Sequence, residues 1–337
     1  MPTIYAGPGK LYYNSIALWP EGENGQIKAE VRQLTHDVVS GFFGRVTCIQ
    51  GDAQAVISLT PFDNWSALRT LFPAYLGVTV GTGAGSAGAL IIGTRPHNPA
   101  GAADAAAKIW TPDGRLYTFV HAAICKHPDL HLGVDKPLYG PIEMPAILAT
   151  GSALGSAGAL YTLGGTLAAS PGTAAADPGG QQGSDYERGP WYGVWGTTAG
   201  FGGDTGGSPI EAEDEWVVTT AVKYSPLAVQ TLVRAYKLDN VAFMAKCRPY
   251  GPTQAQIDAA IGVNAGRVLG AQFATSGSGA DLVLSGPNSK TITLKNADVV
   301  GAGFEFGGTK LGSSEIGFVS TMTFSAGAPQ PLLVFSA

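Results

Sequence analysis

Three glycines, Gly83, Gly85 and Gly88, spell G-x-G-x-x-G within the stretch "VGTGAGSAGAL". The apolar run "AYLGVTV" comes just before them, and Asp104 follows Gly83 by 21 residues. In a dinucleotide-binding turn such glycines let the backbone approach a pyrophosphate, and a helix must follow so that its amino end faces the phosphates. The pattern therefore raises the question of NAD binding.

The residues after this pattern argue against a nucleotide site. Gly93 and Pro96 interrupt the chain before a helix of three turns could form. The run "LII" is short and rich in β-branched residues, which favours a strand. The string "GSAGAL" also recurs at 155–160, within a loop-like stretch. We therefore predict a Gly/Ala/Ser loop that enters a strand, and no dinucleotide binding.

The stretch "CKHPDLH" contains the residue types of a metal site. Cys125, His127 and His131 would have to share a face, as two histidines do at i and i+4 on a helix. Pro128 and the strand pattern argue against a helix here. We interpret these side chains as ordinary surface residues on a pair of strands.

Two further groups could perform acid–base chemistry. His36 and Asp37 could be half of a catalytic triad, but the sequence has no G-x-S-x-G element with a matching nucleophile. Asp52 and Asp63, near Trp65, could be paired acids for sugar hydrolysis. A turn and a helix cap account for these two aspartates more simply. We therefore predict no catalytic, cofactor-binding or metal-ligating residues, and no enzyme activity.

The composition is low in charge and rich in glycine. The 337 residues include 48 Gly and 22 Pro, with 45% hydrophobic and only 13% charged residues. Such neutral surface suits wide contact with other subunits, and the many turn residues suit an all-β chain. The net charge is −5 and the sequence has no run of Lys or Arg, which argues against a basic patch that binds the phosphates of nucleic acid.

The three cysteines are far apart and odd in number, so they predict reduced thiols rather than a disulfide framework. The amino terminus "MPTIYAGPGK" lacks the apolar segment of a signal peptide, and no run reaches the roughly 20 apolar residues of a membrane helix. These patterns predict a chain made in the cytosol without a membrane span.

The elements that would position these residues are mostly strands. "GKLYYNSIALWP" predicts a hairpin, and alternation at Ile27, Ala29 and Val31 predicts a half-buried strand. One helix is predicted at about 62–72, in "FDNWSALRTLF", with Asp63 or Asn64 as its N-cap. Its apolar stripe would pack on a sheet, and a second short helix is predicted at 253–262.

The middle of the chain predicts a hairpin and irregular edges. "KIWTPDGRLYTFV" has Pro-Asp-Gly turn chemistry between two strand patterns. Four prolines after it predict edge positions or bulges, because a central strand cannot spare the N–H; they are Pro128, Pro137, Pro141 and Pro145. The stretch 150–209 is loop-rich, and its aromatic island "WYGVW" must be buried. Repeated short strands after residue 211 predict a sandwich or barrel.

The hairpin "WTPDGRLYTF" running into "HAAICKHPDLHLGVDKPLYGPIEMPAI" resembles the central region of major tail proteins, the tail tube proteins, of long-tailed bacteriophages. The opening "YAGPGKLYYNSIALWPEGENGQIKAEV" and the closing "SSEIGFVSTMTFSAGAPQPLLVFSA" are similar to the ends of that family. The resemblance covers about 1–148 and 211–337, and the Gly-rich middle departs from it.

The resemblance implies an all-β fold with minor α content, a β-sandwich or barrel with a flanking helix. Residues 1–149 and 211–337 would be two parts of one tube domain, and 150–210 a Gly/Pro-rich excursion or decoration. Because Gly, Pro, Ala and Ser cannot fill a core, we predict that 165–209 faces solvent on the outside of the assembly. Six copies would join edge to edge, so that their inner strands close into a β-barrel, and the hexameric rings would stack into a tube.

The partners that the resemblance implies are other copies of this chain and other tail proteins, such as tape measure, terminator and baseplate or tip proteins. DNA would pass through a neutral to acidic lumen without sequence-specific binding, in a virion assembled in the bacterial cytoplasm. Trimeric rings of two-domain chains stay open, as does the side of the tube that 150–210 occupies. The alternative is a carbohydrate-binding or surface β-sandwich module, for which "GPWYGVW" would supply exposed aromatic platforms.

Overall fold

The strands are short because turn residues interrupt alternating apolar runs throughout the chain. The structure, a computed structural model, describes residues 9–14, 16–22, 25–72, 78–80, 105–112, 114–148, 160–164, 188–196, 209–229, 232–250, 280–301, 304–307, 310–313, 315–321, 324–325, 328–329 and 332–336. The fold is nearly all β and includes a closed six-stranded barrel. The all-β class predicted from the sequence is therefore confirmed.

The strands, in chain order, are β1 (Lys10–Tyr13), β2 (Ile16–Leu18), β3 (Lys28–Ser40), β4 (Gly44–Leu59), β5 (Val78–Val80), β6 (Ala105–Trp110), β7 (Leu116–Ala122), β8 (Leu130–Gly133), β9 (Ile142–Ile147), β10 (Tyr161–Gly164), β11 (Tyr192–Trp195), β12 (Ile210–Thr220), β13 (Lys223–Val229), β14 (Leu232–Asn240), β15 (Phe243–Pro249), β16 (Ala280–Ser285), β17 (Thr291–Gly301), β18 (Phe304–Gly307), β19 (Lys310–Ser313), β20 (Ile316–Ser320), β21 (Phe324–Ser325), β22 (Ala328–Pro329) and β23 (Leu333–Phe335). Two 3₁₀ turns cover Trp65–Ala67 and Pro287–Ser289, and the α-helix α1 covers Leu68–Leu71.

The first sheet has eight strands in the order β2-β1-β6-β7-β9-β4-β3, with β10 also paired to β7. All its pairs are antiparallel, and the two predicted hairpins, β1–β2 and β6–β7, are both present. Apolar residues that alternate along β4 and β9 face one core; they include Ala55, Ile57, Leu59, Ile142 and Met144.

The second sheet closes on itself. Its order is β16-β11-β12-β15-β20-β17, and β17 pairs with β16 again, so six antiparallel strands form the barrel. The inside is filled by side chains, as expected of a barrel of this size; they include Trp195, Trp216, Val218, Phe243, Ala245, Leu282, Leu294 and Phe318. Outside the barrel, β8 pairs with β12, and β23 joins β17 to β5.

The helix after β4 is shorter than the sequence predicted. The 3₁₀ turn Trp65–Ala67 leads into a single α-helical turn, and the N-cap of α1 is Ala67, without a side-chain hydrogen bond, instead of Asp63 or Asn64. The Asp63 carboxylate accepts a hydrogen bond from the Leu138 N–H instead, at 2.6 Å. Tertiary contact therefore takes this side chain away from the predicted cap role. The helix predicted at 253–262 lies outside the described residues.

The sequence predicted that Pro145 lies at a sheet edge or a bulge. In the structure it does not lie at an edge. It belongs to β9, which is bonded to β4 on one side and to β7 on the other. On the β7 side its carbonyl accepts from the Ala123 N–H at 3.3 Å, one residue past the end of β7. In a strand the N–H and C=O of one residue are on the same side, so the N–H that proline lacks would also face β7. The regular β7–β9 ladder has already ended at this point, so the strand accommodates the ring.

The interval 150–210 is more than a surface excursion. Tyr161–Gly164 pairs with β7, and Tyr192–Trp195 is a strand of the barrel. Trp191 and Trp195 are buried, as the aromatic island predicted, and Trp195 donates from Nε1 to the Ala297 carbonyl at 2.9 Å. The prediction that 165–209 faces solvent is therefore wrong for residues 188–196; residues 165–187 lie outside the described part.

Candidate assembly surface

The pair β3–β4 extends far beyond the first sheet. Only residues 55–59 of β4 pair with β9, whereas the ladder between β3 and β4 continues from Lys28–Ser58 to Ser40–Gly44. Among the described strands, residues 32–54 thus have only each other as ladder partners. We call this two-stranded projection, residues 32–54, the arm.

The end of the arm is apolar and exposed. Phe42 and Phe43 are 88% and 79% exposed, and Val39 and Val46 are 66% and 59% exposed. The two phenyl rings contact each other edge to face, with centroids 4.9 Å apart. Exposure of several large apolar side chains to water is unfavourable. Their grouping at the tip of the arm therefore indicates a site of interaction with another molecule.

The sequence "SGFFG" explains the sharp turn at this tip. The Ser40 hydroxyl accepts hydrogen bonds from the Phe42 and Phe43 N–H groups at 3.2 and 3.3 Å. Gly44 has a φ of +70°, a conformation that costs glycine little. The serine and the glycine therefore hold both phenylalanines on the outside of the turn.

Charged side chains line the arm below its tip in pairs of opposite sign. Arg45 bonds Asp37 across the two strands at 2.9 Å, and Glu30 contacts Arg32 at 3.2 Å and also Lys28. Bonding to Lys28 and Arg32 lowers the pKa of Glu30. The arm therefore carries paired charges along its sides and uncharged aromatic groups at its end.

A second two-stranded extension leaves the barrel, but it is partly buried, with Leu238 in the core and Tyr224 near the ring of His127. β13 and β14 form a separate two-stranded sheet that continues from the ends of β12 and β15. Asp239 contacts the Ser225 hydroxyl and Lys237, and these bonds lower its pKa. We call residues 223–240 the second arm.

The outer edge of β3 is open. In the described part of the first sheet β3 is the last strand, with β4 on one side only. Its unpaired N–H and C=O groups form a template to which another strand can bond. Sequence alternation predicted a half-buried strand here, but Ala29 and Val31 are exposed because no second layer covers the strand at this point.

The residues considered for chemistry do not come together. Gly83, Gly85, Gly88 and Asp104 lie outside the described residues. Within the described ranges no cluster of His, Cys, Asp or Glu could hold a metal ion. His36 and Asp37 are exposed on the arm, and Asp37 pairs with Arg45. Asp52 lies in β4 opposite Leu34.

The two histidines of "CKHPDLH" serve different structural contacts. The prediction of surface residues is wrong for His127, which is buried because it packs against the helical turn, with Nδ1 2.6 Å from the Leu71 carbonyl, and burial lowers its pKa to about 4. His131 contacts the Glu215 carboxylate, with Nδ1 3.0 Å from Oε2. Desolvation raises the pKa of the Cys125 thiol, so it is not poised as a nucleophile.

Asp63 is fully buried and forms an ion pair rather than an acid pair. Besides the Leu138 N–H, it contacts the Arg188 guanidinium, whose other end reaches Glu21 at 2.5 Å. The bond to Asp63 is the main cause that raises the pKa of Arg188. The arrangement connects three distant segments of the chain, and the guanidinium of Arg188 lies between the carboxylates of Asp63 and Glu21.

No protein-family model matches this chain, and neither does any curated protein. The part of the chain that the structure describes contains no helix with the length and apolar character needed to cross a bilayer. Indications of function therefore come from the surface of the chain, and above all from the arm. Sequence reasoning missed the arm, although the adjacent phenylalanines in a Ser-Gly turn were its signal.

Proposed function

We propose that this chain is a structural subunit that polymerises with copies of itself, as a tail tube protein of a long-tailed bacteriophage. Rings would close by pairing of strand edges, and the arms would contact the next ring. The stacked rings would form the conduit for DNA. The observation that carries this proposal is the arm, with Phe42 and Phe43 exposed at its tip.

Burial of the arm tip would supply a specific part of the assembly energy. Each phenylalanine side chain transferred from water to a packed interface contributes about 1.5–3 kcal/mol. The open edge of β3 would add main-chain hydrogen bonds, which give direction rather than much net energy. Together they support an ordered polymer with fixed geometry between neighbours.

The charge of the chain fits a conduit. With a net charge of −5 and no run of Lys or Arg, the protein offers DNA little to bind. A channel that conducts DNA has to avoid the counterion-release binding that basic grooves produce. The proposal therefore includes a lumen that is not basic.

The carbohydrate-binding alternative requires exposed aromatic rings in "GPWYGVW", and its two tryptophans are buried. Trp191 and Trp195 of the aromatic island are in the core, where a sugar ring cannot stack on them. Trp191 stacks on Trp65 instead, with ring centroids 6.2 Å apart. We therefore propose no second function.

Negative-stain microscopy and light scattering of the purified chain test the proposal. We expect rings or tubes at high concentration, and we expect the double variant Phe42→Ser/Phe43→Ser to lower the extent of polymerisation at least tenfold. Two lost apolar contacts per subunit, at about 1.5 kcal/mol or more each, account for that factor.

Val134→Ser is the matched control, because Val134 is also exposed, at 58%, but lies outside the arm. This variant should polymerise as the wild type does. A wild-type chain that stays monomeric at high concentration would contradict the proposal. Equal polymerisation of the arm-tip variant would show that the arm does not carry assembly.

A further inference from the structure

The two halves of the chain repeat one strand order. In the first half the order is β1-β6-β7-β9-β4-β3, and in the second it is β11-β16-β17-β20-β15-β12. Each strand of one series occupies the same place along the chain as its counterpart in the other. The carboxy-terminal strands also match, since β10 pairs with β7 and β23 pairs with β17, each antiparallel.

The repeat extends to the register of the central hairpin. Trp110 lies opposite Leu116 in the first half, and Ser285 lies opposite Thr291 in the second, so both strands shift by 175 residues. A register shift follows at the same place in each hairpin, between 105 and 107 and between 280 and 282. Sheets that arise independently have no reason to share a bulge position.

The turns of the two hairpins are built alike. They read "TPDGR" at 111–115 and "GPNSK" at 286–290, with proline in the same place. The first residue of each donates its N–H to the carbonyl of the fifth, at 2.9 Å in both. Gly114 and Ser289, which correspond, have φ angles of 82° and 60°.

The projections correspond as well. The arm continues β3 and β4, and the second arm continues β12 and β15. The equivalence therefore includes the hairpin extensions, although the arm is exposed at its tip and the second arm is partly buried. We infer that the chain contains two copies of one folding unit, unit 1 at residues 10–164 and unit 2 at residues 192–335.

The contact between the two units shows how a unit binds its neighbour. The strand β8, which lies between β7 and β9 in unit 1, bonds the edge of β12 in unit 2, with Gly133 opposite Glu215 and Leu130 opposite Val218. His131 adds its contact to the Glu215 carboxylate. A segment of one unit thus extends the sheet of the next.

The same contact can form between chains. The counterpart of β12 in unit 1 is β3, whose outer edge is open in the described sheet. The counterpart of β8 in unit 2 is the hairpin β18–β19, which lies between β17 and β20, and within the described residues its strands pair only with each other. The hairpin of one chain would therefore bond β3 of a second copy, head to tail.

Head-to-tail contacts of this kind close into a ring when the rotation allows it. This inference rests on the proposed function and on the ring of six that the resemblance implies: three chains with two units each then complete one ring. The hexamer expected from the sequence becomes a trimer of two-unit chains in this inference.

Stoichiometry is the first test. Native mass spectrometry or a cryo-electron map of wild-type rings should give three chains of 34.5 kDa per ring, with six similar units around it. Rings of six chains would overturn the inference and leave the tube proposal standing. The absence of any ring or tube would overturn both.

Cross-linking tests the edge. Lys28 is on β3 and Glu305 on β18, so the double variant Lys28→Cys/Glu305→Cys should give covalent oligomers that end at three chains with a short bis-maleimide. Cys48→Ser serves as the background, because Cys48 is an exposed native thiol. In the control, Asp135→Cys, at an exposed turn, replaces the change at Lys28. Cross-linking only in the control would overturn the assignment of β3.

Discussion

At the scale of single residues, His127 is a buried imidazole with a defined tautomer. The Leu71 carbonyl can only accept a hydrogen bond, so Nδ1 of His127 carries the proton. The imidazole stacks on the Phe72 ring, with ring centroids 5.7 Å apart. This apolar setting disfavours the imidazolium form. Folding therefore keeps His127 neutral at pH values where the unfolded chain would protonate it.

The stability of the fold should decrease as the pH falls from 6.5 to 4. Above pH 6.5 both states are neutral at this position, whereas below it the unfolded state binds a proton that the folded state refuses until about pH 4. The difference between these two pKa values corresponds to about 3 kcal/mol of unfolding free energy. Denaturant titrations at several pH values measure it.

His127→Gln should reduce this pH dependence, because glutamine can still donate a hydrogen bond but does not titrate. His36→Gln is the control, since His36 is exposed on the arm, and it should leave the dependence as in the wild type. If His127→Gln loses stability with acid as steeply as the wild type, another group is responsible.

At the scale of strands, closure of the barrel depends on Gly193. This residue of β11 lies opposite Ile210 of β12, and a Cβ added to it would collide with the indole of Trp216, which is fully buried. Glycine thus lets β11 approach a strand whose large side chain fills the inside. In the closed barrel the Trp216 indole occupies the space that a side chain at position 193 would need.

Gly193→Ala should destabilise the fold by about 1–3 kcal/mol, the usual cost of an overpacked core. Guanidinium denaturation gives the loss, and near-UV circular dichroism should report a changed Trp216 environment. Gly41→Ala is the control, because nothing lies within 4 Å of a Cβ at Gly41. Equal stability of the two variants would mean that β11 moves away without cost.

Local patterns predicted what local chemistry controls. The turn "TPDG" predicted a hairpin because turn geometry depends on neighbours in sequence, and "WYGVW" predicted buried tryptophans because such large apolar rings are driven out of water whatever their partners are. Alternation at Ala29 and Val31 did not give burial, since it cannot report whether a second layer covers the strand. The local pattern predicts a cap at Asp63, whereas its actual partners, Leu138 and Arg188, are distant in sequence and cannot be read from it.

At the scale of the whole molecule, the three thiols differ in access. Cys48 is exposed on the arm, Cys125 is half-buried and Cys247 is buried in the barrel, and desolvation raises the pKa of the last two thiols. The folded subunit should therefore take up one equivalent of maleimide rapidly. Denatured chains, in which all three thiols are free to react, provide the reference.

Polymerisation should protect Cys48. If the arm enters an interface, the labelling rate at this thiol should fall at least tenfold in sedimented tubes compared with free subunits. Mass spectrometry of the labelled peptides measures the rate at each position. An unchanged rate in tubes would place Cys48 outside the contact between subunits.

If the chain polymerises as proposed, the ion pairs on the arm and on β3 just below it affect the time course of assembly. An open strand with bare apolar residues would join any similar strand, whereas Lys28, Glu30, Asp37 and Arg45 must meet matched charges or lose their hydration. A stray encounter between two subunits then dissociates quickly. Growth from a formed end, where several contacts are made at once, would be favoured over spontaneous initiation, so free subunits can accumulate in the cell until a template is present.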